Sequence, residues 1–66
     1  MSRPLEDWEL WGAATMVVRQ HGDRAPAFVA ERIGVLALAG DSRGMDTWKR
    51  IASRVAQLMD NNLRKH

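Results

Sequence analysis

Apolar residues recur along the chain at spacings of three and four, and Pro and Gly break this pattern into three stretches. In the first stretch Leu10, Trp11, Ala14, Val17, Val18 and His21 share one face of a helix, as a 3.6-residue period requires. Ser2 and Pro4 read as its start, because proline in a first turn gives up an N–H that has no partner anyway. Glu6, Asp7 and Glu9 then place negative charge at the positive end of the helix dipole. Gly22 reads as the stop. The third stretch opens in Asp41-Ser42-Arg43-Gly44, where Asp41 or Ser42 can cap free N–H groups. It carries the cleanest stripe: Met45, Trp48, Ile51, Ala52, Val55, Leu58 and Met59. No stretch alternates as a strand would, and no Asn-Gly or Asp-Gly hairpin signal occurs. The pattern predicts one all-α, compact three-helix domain over residues 1–66, with helices at about 4–21, 25–39 and 42–62.

The middle helix differs from the other two. Pro26 marks its first turn and Gly40 its end, and between Ala25 and Ala39 the only charges are Glu31 and Arg32. Phe28, Val29, Ile33, Leu36 and Ala37 cover one half of the wheel, and Val35 and Leu38 widen the arc beyond a single stripe. A helix that is apolar nearly all round is buried on more than one side. Either it lies centrally between the other two helices, or a second copy of the chain covers it. The second alternative is favoured: a homo-oligomer, in its simplest form a dimer, joined through Trp8, Phe28, Val35 and Leu38. Gly12 and Gly34 lie inside helices, where each costs roughly 1 kcal/mol relative to alanine. A close neighbouring backbone, or room for a Trp ring, is the expected compensation.

Size strengthens the case for company. A chain of 66 residues buries only about 60% of the surface its unfolded form exposes, and domains this small usually carry a staple. Without cysteine there is no disulfide, thiol nucleophile or Cys-based zinc site. Two histidines, His21 and His66, are too few for a histidine-built metal site, and no cofactor is expected. The longest apolar run, Val35 to Ala39, is far too short to span a bilayer. Arg3 is followed by Asp7 and Glu9 rather than by a leader's apolar core, so a cytoplasmic protein is expected.

The chemistry-bearing residues are sparse. Glu31 and Arg32 are expected at the solvent edge or in an interhelical ion pair, and His21 is expected to cap the end of the first helix. Ser2, Ser42 and Ser53 have no histidine in a recognisable arrangement, and no phosphate-loop pattern occurs, so no enzyme is expected. Trp11 and Trp48 belong to apolar stripes and read as core, whereas Trp8 at a stripe's edge suits an interface. Nucleic-acid binding is the alternative function. Lys49, Arg50 and Arg54 are read as sharing the outer face of the third helix, followed by the Arg64-Lys65-His66 tail. The net charge of only +2, with Asp46, Gln57 and Asp60 on that same face, weighs against it.

A set of short motifs completes the picture: His21-Gly22-Asp23 with Ala25-Pro26, Ala30-Glu31-Arg32-Ile33, Leu38-Ala39-Gly40-Asp41, Gly44, and Trp48-Lys49-Arg50-Ile51. Together they span roughly residues 11 to 58. On these the chain resembles a family of small uncharacterised bacterial proteins, a domain of unknown function common in alphaproteobacteria. The resemblance implies a short helical domain and carries over no catalytic residue, cofactor or binding site. The function expected from the residues is therefore a small self-associating interaction or adaptor module.

Overall fold

The computed structural model describes residues 3–64, with side chains up to residue 60. Ser2 and the side chains of the Arg64-Lys65-His66 tail lie outside the described residues. Three α-helices make up the fold: α1 (Asp7–His21), α2 (Ala25–Leu38) and α3 (Ser42–Arg64). A single turn of 3-10 helix, Gly22–Arg24, joins the first two.

Helix α1 begins three residues later than proline punctuation suggests, because Glu9 sets the start. Its carboxylate accepts the Glu6 backbone N–H at 2.9 Å, which makes Glu6 the cap and leaves Arg3 to Leu5 as a non-helical lead-in. Leu5, just before the cap, packs against the core to which Leu10 belongs. At the other end His21 does not cap α1. Its ring instead stacks on Phe28, with centroids 4.0 Å apart and planes within 15°.

The α2–α3 corner is specified residue by residue. Asp41 donates its N–H to Leu36 O at 2.9 Å and Gly40 donates to Ala37 O at 3.1 Å, the paired bonds of a Schellman ending. Gly40 takes φ +72°, a conformation that a side chain would strain. Asp41 then turns to the next helix, its Oδ1 accepting the Gly44 N–H at 2.9 Å. One aspartate thus closes α2 with its backbone and opens α3 with its side chain.

Helix α3, not α2, is the central element. Both α1 and α2 pack along it and touch each other little. The core is Leu10, Ala14 and Val17 from α1, Ala25 and Val29 from α2, and Ile51 and Val55 from α3. Trp11, Trp48, Phe28, Leu58 and Met59 are half-buried, several of them packed against it. The molecule measures 42 × 23 × 16 Å. A thickness of 16 Å accommodates two helix layers at an interaxial distance of about 8–10 Å. Each peripheral helix therefore keeps one side open to solvent, and the central position considered for the middle helix is not the one it takes. The glycines inside helices are corrected as well. Nothing lies within 4 Å of where a Cβ would stand on Gly12 or Gly34, so the close approach expected to compensate them is missing within the chain.

Candidate interaction surface

Four large hydrophobic side chains are exposed among the described residues, all on α1 and α2. Leu38 is 92% exposed, Trp8 68%, Val35 58% and Met16 52%. Around them on α2, Ala27, Ala30, Glu31, Arg32 and Gly34 are exposed too, so this side of the helix is apolar apart from Glu31 and, at its border, Arg32. Trp8, Gly12 and Met16 stand four apart on the outer ridge of α1, with Arg19 one turn further.

Three of the four residues picked for the interface therefore reach solvent, and Phe28 does not belong with them. Between the stacked His21 ring and Trp48, edge-on at 6.0 Å and 72°, Phe28 seals the α1–α2 turn onto α3. Arg32 leans over the other part of this group, its guanidinium 5.7 Å from the Trp48 ring centre. Met16 was missed by the stripe of α1, although its spacing from Trp8 and Gly12 places it on their ridge.

Polar groups converge at the start of α1. Arg54 donates from Nη2 to Asp7 Oδ1 at 2.6 Å, and its guanidinium lies 5.3 Å from the Trp11 ring centre. Trp11 Nε1 donates to Asp7 Oδ2 at 3.2 Å. The Arg54 hydrogen bond holds the Asp7 carboxyl below its usual range, with Trp11 adding to the effect. Arg3 forms a fork on Glu9, at 2.7 and 3.0 Å, and lowers that carboxyl too, helped by the Glu6 N–H. These pairs tie the lead-in and α1 together and tie α1 to α3. Arg54 is therefore not on an outer face with Lys49 and Arg50: its side chain is 24% exposed and bonded to α1. Lys49 and Arg50 themselves are exposed.

An open groove of about 760 Å³ runs between the lead-in and the start of α3, where Arg3, Arg43 and Arg50 alternate with Asp41 and Asp46. Asp41 is already engaged as a cap, and Arg3 is held by Glu9. No group of three His, Cys, Asp or Glu among the described residues is placed to hold a metal ion. No helix among them is long and apolar enough to cross a membrane.

The architecture is that of a small all-α protein with Trp8, Met16, Val35 and Leu38 exposed on two of its helices. The chain belongs to the Family of unknown function (DUF6961), which it matches over residues 6–63. No curated protein and no solved structure matches it.

Proposed function

We propose that this protein is a self-associating interaction or adaptor module of the cytoplasm, a homodimer in its simplest form, without cofactor or catalytic step. The observation that carries the reading is the outer face of α2, where Val35 and Leu38 stand exposed beside alanine and glycine. Apolar side chains grouped on one exposed helix face are the kind of surface that association covers. In so small a chain, with seven buried core residues among those described, a second subunit also supplies burial that the monomer lacks. Trp8 adds a second exposed apolar side chain on α1.

Sedimentation velocity at micromolar concentration tests the proposal. The expected result is a concentration-dependent dimer that Leu38→Glu converts to a folded monomer, because a side chain 92% exposed contributes little to the protomer itself. A strict monomer in the unsubstituted protein overturns the reading. The nucleic-acid alternative keeps Lys49 and Arg50 but has lost Arg54 to Asp7. A salt-dependent gel shift with duplex DNA that disappears in Lys49→Ala/Arg50→Ala would replace one reading with the other.

A further inference from the structure

Each exposed large hydrophobic lies within four residues of a helix glycine that the chain's own packing leaves unexplained. Gly12 stands midway between Trp8 and Met16, and Gly34 stands beside Val35 and four before Leu38. Glycine is a poor helix former, and both positions look into open space. A bare backbone beside a large side chain forms a notch beside a knob. The two faces also carry opposite charges. Arg19 is the single basic residue on the outer ridge of α1, and Glu31 is the single acidic residue on α2, whose other charge, Arg32, leans over Trp48 of α3. Neither has an ion-pair partner among the described residues, whereas Arg3, Glu9, Asp7 and Arg54 are all paired.

We infer that α1 of one copy lies against α2 of a second copy, and reciprocally about a twofold axis, with Gly12 and Gly34 at the close approaches and Arg19 facing Glu31 of the other copy. This rests on the self-association reading and adds to it which helices meet. A twofold interface must be self-complementary. One surface carrying knobs and notches, and one charge of each sign, meets that condition, and the pairing then occurs twice. It also accounts for the glycines, since small residues let two helix backbones come close.

Charge exchange in the full-length chain is the test, read by sedimentation equilibrium with circular dichroism to confirm the fold. Glu31→Arg sets like charges against each other twice, so the dimer constant weakens by about tenfold or more. Arg19→Glu does the same, and the double exchange Arg19→Glu/Glu31→Arg restores dimerisation. Because Arg19 also sits in the last turn of α1, Glu31→Arg alone decides the matter if Arg19→Glu disturbs the helix. Gly12→Ala and Gly34→Ala should weaken the dimer while raising the melting point of the dilute monomer, two effects of opposite sign. Dimerisation that is indifferent to Glu31→Arg overturns this arrangement but leaves self-association standing, provided Leu38→Glu still abolishes it. A ladder of ever larger species overturns the closed twofold pair.

Discussion

A Cβ on Gly44 would meet Asp41 Oδ2 at 2.6 Å, Asp41 Cγ at 2.9 Å and Leu36 Cδ2 at 3.1 Å. Glycine is needed there so that the carboxylate can fold over the first turn of α3 and reach the Gly44 N–H. In an ordinary helix position glycine to alanine is a gain of roughly 1 kcal/mol. At Gly44 the sign should reverse, because the cap must be displaced. We expect Gly44→Ala to lower the denaturant midpoint and Asp41→Ala alone to cost about 1 kcal/mol. Combined, the two should cost less than their sum, since without the carboxylate the new methyl group meets only Leu36. Strict additivity in that double-mutant cycle would show that the two residues act independently. The sequence marks this corner well, because Gly-Asp-Ser-x-Gly offers a stop and a cap within five residues. It leaves open whether Asp41 or Ser42 is the cap, which depends on where the Schellman turn aims each side chain.

Among the elements, the stripe of α3 was legible: Trp48, Ile51, Ala52, Val55, Leu58 and Met59 face its partners as periodicity implies, although Arg54 turns to α1 rather than outward. The place of α2 was not. The width of an apolar arc measures how much surface avoids water, not how many neighbours the same chain supplies, so a nearly uncharged helix left a central place and cover by a second copy both open, and the central place belongs to α3. The beginning of α1 was hidden for another reason, since Glu9 both caps Glu6 and grips Arg3, and proline at position 4 signals nothing of that. The same pairs give the fold a pH dependence. Asp7 and Glu9 both titrate below their unfolded values, so they stabilise the folded state when ionised. That contribution is complete above the ordinary carboxylate range of about 4 and is lost as pH falls through the lowered values. Thermal melts should therefore be flat from neutral pH to about 5 and decline below about 4. Asp7→Asn should flatten part of that decline, and salt should weaken it, because one member of each pair, Arg3 and Asp7, stands open to solvent. A melting point that rises on acidification would contradict this role for the pairs.

For the whole molecule, the question is how much stability resides in one copy. Among the described residues seven are buried in the core, two of them alanine, a small interior, and typical stabilities of about 0.05–0.15 kcal/mol per residue suggest roughly 3–10 kcal/mol in total. A partner that binds only the folded chain adds to this by mass action. For a dimer that dissociates as it unfolds, each tenfold rise in concentration contributes about 0.7 kcal/mol per chain, which for a domain this size is roughly 3–5 °C in melting point. Melts from the low-micromolar to the near-millimolar range should therefore climb steadily. Leu38→Glu should hold one concentration-independent value, close to that of the most dilute unsubstituted sample, because Leu38 has little to lose inside its own protomer. If the unsubstituted protein melts at the same temperature across that range, the α2 face contributes nothing through association. Val35 and Leu38 would then be ordinary exposed residues on a helix that α3 covers on one side only.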